Sequence, residues 1–450
     1  MSGLHFQKAL TPEGWRTNVR LTLEGEHIVA LDTDAPPSPG DERHALGLPA
    51  IGNLHSHAFQ RAMAGLTETR GPSDDSFWTW RETMYRFALR MTPADVEAVA
   101  AQAYVEMLEA GYAAVAEFHY LHHAPNGDSY ANPAEMSERI AAAASHAGIG
   151  LTLLPVFYAH SGFAGAPAKP EQRRFITDVE SFARLHESCR AAIGQSGVLG
   201  VAPHSLRAAT PNEIAAVVAI AGAAPIHIHI AEQIDEVEAC VAWSGARPVR
   251  WLIDHAPVGE NWCLVHATHI DVEETADLAK SGAVAGLCPI TEANLGDGTF
   301  PAPAFSKAGG RFGVGTDSNV QIALAGELRQ LEYSQRLARR SRNVSAPPGG
   351  STGRALFETA AAGSAQALGR PNGRLTLGAV ADILSLRASS PWLAGREDDA
   401  ILDTWIFSAG RALVDCVWSG GVKVVADGCH RQREPISARF GESLRRLASE

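Results

Sequence analysis

Eight apolar runs of strand length, separated by stretches that carry helix-start signals, restrict this chain to a small set of architectures. The first ends at His55; the others are residues 113–118, 151–157, 198–202, 226–230, 263–266, 283–287 and 311–315. Between them, Thr92-Pro93-Ala-Asp95 and Thr210-Pro211-Asn-Glu213 each place an N-cap threonine before a proline and an acid, which starts a helix. Strands alternating with helices over this length suit a closed (β/α)8 TIM-like barrel better than an open sheet, though both remain compatible with the sequence. Alternating apolar and polar residues from Arg20 to Leu31 around Glu24-Gly25-Glu26 predict a hairpin. Residues 381–386 and the two runs flanking Gly420-Gly421 predict further strands. Both chain ends are therefore expected to build one small β-sandwich domain, from residues 1–47 and 375–450, around a barrel over 48–374. Gly309-Gly-Arg-Phe-Gly313-Val-Gly315 precedes the end of the eighth run instead of following a strand, so it is read as a packing feature, not a dinucleotide loop.

The formal charge of -12 argues against a nucleic-acid or anionic-membrane partner, so any anionic small-molecule substrate must meet arginines placed locally. The six cysteines form no C-x-x-C pair and read as reduced thiols. With no apolar signal core near Met1 and no run of membrane-spanning length, a cytoplasmic protein is expected. A homodimer is the expected assembly, dimers being the commonest oligomers.

Side chains suited to metal binding and proton transfer stand at the ends of four of the runs. His55 and His57 are at i and i+2, so on a strand they share a face. His229, His266 and Asp317 end the fifth, sixth and eighth runs, and barrel enzymes collect catalytic groups at such strand ends. Imidazoles and one carboxylate suit Zn²⁺ or Fe²⁺ better than Ca²⁺ or Mg²⁺. One divalent ion is expected, zinc first and iron as the alternative. Ile226-His-Ile-His-Ile230 offers His227 on the same face as His229, and the pattern alone does not choose. Glu232, just beyond His229 where a proton shuttle would sit, favours His229 as ligand. His266 is preferred to His269 because it is nearer the strand. His119, His122 and His123 are read as polar loop residues. Neither a G-x-S-x-G elbow nor a phosphate loop is present.

His55-Ser-His57, His229-Ile-Ala-Glu232, His266 and Thr-Asp317-Ser together resemble the amidohydrolase superfamily, in its mononuclear deaminase branch. No lysine stands in Val201-Ala-Pro-His204-Ser-Leu-Arg207, where the resemblance would place a metal-bridging carbamate, which favours one metal. Within the branch, the stretches around Asn53–Leu66, Phe77–Arg81, Ala202–Ala208 and Arg247–Leu252 resemble the formimidoylglutamate deiminases. The resemblance implies hydrolysis of N-formimino-L-glutamate to N-formyl-L-glutamate and ammonia, in histidine degradation. It implies His55, His57, His229 and Asp317 as metal ligands and Glu232, His266 and Asp317 as catalytic groups. Gln60, Arg81, Tyr120, His204 and Arg207 are the implied substrate contacts, and a substrate with two carboxylates needs paired cations such as Arg81 and Arg207. The alternative is a deaminase of the same superfamily acting on a nucleobase or adenosine derivative.

Overall fold

The computed structural model describes residues 2–71, 76–194 and 196–449. The eight apolar runs are strands Ile51–Ser56, Tyr112–His119, Gly150–Phe157, a fourth split into Val198–Leu199 and Ala202–Pro203, then Ile226–Ile230, Trp262–His266, Val284–Leu287 and Arg311–Val314. We number them 1 to 8. Neighbours pair in parallel from strand 1 to 4 and from strand 5 to 8. Single parallel bridges join the seams: Val201 to Ile226 and Ser205 to His229 between strands 4 and 5, and Ser56 to Asp317 between strands 8 and 1. The ring is a (β/α)8 barrel, as the alternation predicts. Strands 1, 2, 5, 6 and 7 are buried at every position, because helices cover their outer ends while side chains fill the interior. That is why they read as continuous apolar runs.

The seam between strands 8 and 1 explains the glycine run. A Cβ at Gly315 would lie 2.7 Å from both the N and the O of His55, and one at Gly313 would lie 2.3 Å from a Leu54 methyl. Only glycine lets the two backbones approach this closely. Across the same seam, the Asn53 amide donates to Thr316 Oγ1 (2.6 Å), Thr316 N–H donates to Asn53 Oδ1 (3.0 Å), and the Asn319 amide donates to Ser56 Oγ (3.1 Å). These buried groups satisfy one another, so the network fixes the register between His55 and Asp317.

Both expected helix starts form. Thr92 and Thr210 cap helices Pro93–Glu109 and Pro211–Ala221, each with its side-chain oxygen accepting from the third residue. The two chain ends build the expected β domain, here as one continuous mixed sheet of eight strands. The sheet runs from Cys429–His430 through Val422–Ala426, Val414–Ser419, Ile383–Leu386, Glu42–Pro49, Ser2–Thr11 and Gly14–Glu24 to His27–Asp32. Phe6 and Trp418 stand three strands apart in that order, yet their ring centroids are 6.4 Å apart. Strand spacing of about 4.8 Å would separate them further in a flat sheet, so the sheet curls over its own core of Leu4, Phe6, Val19, Leu21, Ile383 and Trp418. The sandwich expected from sequence is thus one curled sheet. Helix Arg433–Ser449, beyond the last strand, packs on barrel helix Pro93–Glu109. Among the described residues no helix is long and apolar enough to cross a membrane.

Candidate active site

Strands 1, 5 and 8 deliver four donor atoms to one point at the C-terminal rim of the barrel. His55 and His57 Nε2 are 3.2 Å apart, and His229 Nε2 is 3.1 Å from the first and 3.3 Å from the second. Asp317 Oδ1 lies 3.3 Å from His55 Nε2 and 3.2 Å from His57 Nε2. All four residues are buried. The neutral tautomers of two rings follow from their outer nitrogens. His57 Nδ1–H donates to Phe118 O (2.9 Å) and His229 Nδ1–H to His204 O (3.1 Å), so both Nε2 atoms present lone pairs to each other. Facing lone pairs repel unless a cation lies between them. Tetrahedral coordination with bonds of about 2.0–2.1 Å separates ligand atoms by about 3.3 Å, the spacing found here. The donor set therefore fits one divalent cation. Burial pushes the His55 imidazole down to about 3 and holds His57 and His229 below their ordinary range, which keeps the rings neutral and able to ligate. Asp317, although burial opposes its charge, is held well below the usual carboxylate range by the His55 hydrogen bond and the neighbouring imidazoles. His227, the other candidate on strand 5, is fully buried and bonded through Nε2 to Ala367 O (2.8 Å), one layer deeper.

The backbone around these strand ends is strained. Ala231, His266, Ala267, Asp317 and Asn319 all adopt positive φ, between +43° and +67°, without being glycine. At Ala231 the turn carries the chain from candidate ligand His229 to Glu232, whose carboxyl is 3.9 Å from His266 Nε2. Glu236, one helical turn on, accepts from Ala231 N–H and Glu232 N–H (both 3.3 Å) and so holds the turn. His266 is gripped on its other edge by Glu292, Nδ1 to Oε1 3.2 Å. Burial lifts Glu232 above the usual carboxylate range, while Glu232 and Glu292 raise His266 against the effect of burial. Sequence reasoning missed Glu292 and Glu236. In sequence, Cys288-Pro-Ile-Thr-Glu292 signals only a helix start, and nothing local ties that acid to an imidazole 26 residues earlier.

A cavity opens above the donor cluster. Every sequence-predicted site residue lines it except His55, which lies beneath. Gln60 donates to the Tyr120 hydroxyl (2.8 Å), and His204 packs against Tyr158 with ring centroids 4.5 Å apart. Arg81, on helix Phe77–Ala88, lies over the Trp78 ring with its guanidinium carbon 4.5 Å from the centroid. Arg207 follows strand 4, and its Nε is buried with no hydrogen-bond partner among the described residues. Glu236 and Glu232 hold its guanidinium charged despite burial. Phe77, Trp80, Met84, Tyr85 and Phe175 supply the apolar wall. The cavity thus joins a cation-binding floor to two guanidinium groups, with an acid and an imidazole between them.

The model of the Amidohydrolase family matches residues 47–424, and the model "Formimidoylglutamate deiminase HutF, N-terminal domain" matches residues 1–45. A formimidoylglutamate deiminase from Pseudomonas aeruginosa is 51% identical over 99% of this chain and 100% of its own length. A 5-methylthioadenosine/S-adenosylhomocysteine deaminase from Natronomonas pharaonis is 29% identical over 83% of this chain and 80% of its own. The crystal structure of an amidohydrolase from Brucella melitensis superposes with a TM-score of 0.97 at 56% identity, covering 100% of both chains. From the span of the family model and the full-length relatives, the chain belongs to the amidohydrolase family.

Proposed function

We propose that this protein hydrolyses N-formimino-L-glutamate to N-formyl-L-glutamate and ammonia, as an amidohydrolase-type deiminase acting on a C–N bond. The observation that carries the reading is the pairing of Arg81 and Arg207 in one cavity with the donor cluster, both without an ion pair or hydrogen bond among the described residues. Two guanidinium groups suit the two carboxylates of a glutamate skeleton, with bidentate geometry available to each. A flat, largely uncharged nucleobase gives them nothing to neutralise. The full-length relative at 51% identity supports the same substrate.

His55, His57, His229 and Asp317 would hold the cation, for which we assign zinc from the nitrogen-rich donor set. When bound, it lowers the pKa of water and polarises the electrophile. The residues do the rest. Arg81 and Arg207 fix the carboxylates, so the formimino carbon faces the floor of the cavity. Glu232, raised by burial, accepts the two protons of the attacking water in turn and passes each to the terminal nitrogen. His266, kept cationic by Glu232 and Glu292, stabilises the oxygen as negative charge develops on it. The tetrahedral carbon then breaks its bond to the terminal nitrogen, which leaves as ammonia, and the formyl group stays on the glutamate nitrogen. The test is product analysis of the metal-loaded enzyme. Equimolar ammonia and N-formylglutamate are expected. Formamide with glutamate, or ammonia only from adenosine derivatives or nucleobases, overturns the reading.

A further inference from the structure

Beside the donor cluster lies a second set of metal-binding side chains that the deimination reaction does not use in full. His266 at the end of strand 6, Cys288 immediately after strand 7, and Glu292 on helix Pro289–Leu295 bring one donor atom each to within 4.8 Å of the others, and all three are buried. Glu292 Oε1 and His266 Nδ1 are 3.2 Å apart, the spacing of two ligands on one ion. The Cys288 sulfur is fully buried and has no hydrogen-bond partner among the described residues, although its own N–H is bonded to Glu292 Oε1 (2.8 Å). Asp317 and Glu232 stand nearby.

We propose that His266, Cys288 and Glu292 form a second, thiophilic cation site that inhibits the enzyme when filled. The set of sulfur, nitrogen and oxygen donors selects Zn²⁺ or Cd²⁺ over Mg²⁺ or Ca²⁺. An ion there binds the imidazole that Glu292 now holds and draws His266 from the cavity. It displaces the Nδ1 proton of His266 and deprotonates the Cys288 thiol, and both protons pass to solvent. The inhibitory consequence rests on the role proposed above for His266; the binding does not.

Cadmium distinguishes the two sites, because His55, His57, His229 and Asp317 include no sulfur. Enzyme already loaded with its resident ion is titrated with Cd²⁺ while ultraviolet sulfur-to-cadmium charge-transfer absorption and bound cadmium are followed. Wild type is expected to take up one further equivalent with that absorption. C288S, and C288A should the serine variant fold poorly, are expected to lose both. Turnover should fall as the band develops, and C288S should need at least ~10-fold more cadmium for the same loss, a difference of about 1.4 kcal/mol. The site is overturned if wild type shows no thiolate band or if the band survives in both Cys288 variants. Loss of the band in C416S instead also overturns it, since that outcome assigns the metal to His44, Asp415 and Cys416 of the terminal sheet. Equal cadmium sensitivity of turnover in wild type and C288S, with the band lost in the variant, refutes the inhibition alone.

Discussion

Glu232 and Arg207 separate two effects that activity alone would confuse. Among the described residues Glu232 makes no hydrogen bond to any of the four candidate cation donors, and its backbone is held by Glu236. E232Q should therefore keep its metal content while kcat falls by about 10²- to 10⁴-fold, the usual loss on removing a general acid–base group. Metal analysis beside steady-state kinetics checks both parts. Near-wild-type turnover would remove Glu232 from the proton path. For Arg207 the substitution R207K keeps the charge and loses the planar fork, so one of two parallel bonds to a carboxylate disappears. A charge-assisted hydrogen bond contributes about 1.5–3 kcal/mol, so KM should rise about 10- to 100-fold with kcat changing less. An unchanged KM would place the substrate carboxylates elsewhere. The candidate ligands and Glu232 were legible in sequence because each sits at or just beyond the end of an apolar run, whereas Arg207 was indicated only by the family resemblance. The partners that orient them were not: Glu292 and Glu236 reach their targets only after the barrel has closed.

Strand 1 and its seam to strand 8 link the metal donors to folding. The split of strand 4 and the two seams were hidden in sequence, because which backbones meet depends on strands far apart in the chain. The glycine run, by contrast, was legible as a packing feature, and the geometry at Gly315 gives its cause. G315A should push strand 8 from His55, lower cation occupancy, and destabilise by about 1–3 kcal/mol, the usual cost of overpacking. Thermal melts with and without added zinc measure both effects, and a variant that melts and loads like wild type would contradict the close approach. Glu117 on strand 2, paired beside Ser56 of strand 1, is fully buried and accepts from Ala58 N–H (2.7 Å). Burial raises its carboxyl to about 8, against the pull of the Ala58 hydrogen bond. An acid whose folded pKa is raised favours the folded state fully below its unfolded pKa of about 4.5, and loses that contribution as pH rises towards about 8. In metal-free protein, E117Q should remove this loss, so its melting temperature relative to wild type should improve from pH 5 to pH 8. A constant difference across that range would mean Glu117 stays ionised in the fold.

At the scale of the whole molecule, the C-terminal helix Arg433–Ser449 ties the chain end to the barrel through charge. Its arginines meet acids along helix Pro93–Glu109: Arg446 pairs with Asp95, Arg439 donates to Glu97 (3.0 Å), and Arg433 pairs with Glu109. Arg439 and Arg446 are seven residues apart and so share a helix face. Its partner face was not visible, since the acids lie more than 300 positions earlier. Glu109 is the fully buried member. It also receives Arg411 and accepts from His430 N–H (2.9 Å), which joins the last strand, the connecting helices and the terminal helix at one carboxylate. The arginines are about two-fifths exposed, so water screens most of their attraction. The buried acceptor matters more, because without it the His430 N–H and two guanidinium groups lose their common partner. E109Q retains the volume and weakens each bond, at a local cost of about 1–3 kcal/mol. Because these contacts lie on the outside of one barrel helix, the loss should stay local: hydrogen exchange across Arg433–Ser449 should speed up ~10-fold or more while strands 1 to 8 keep their protection. Equal acceleration in the barrel strands would show instead that the terminal helix is part of the same cooperative unit as the catalytic rim.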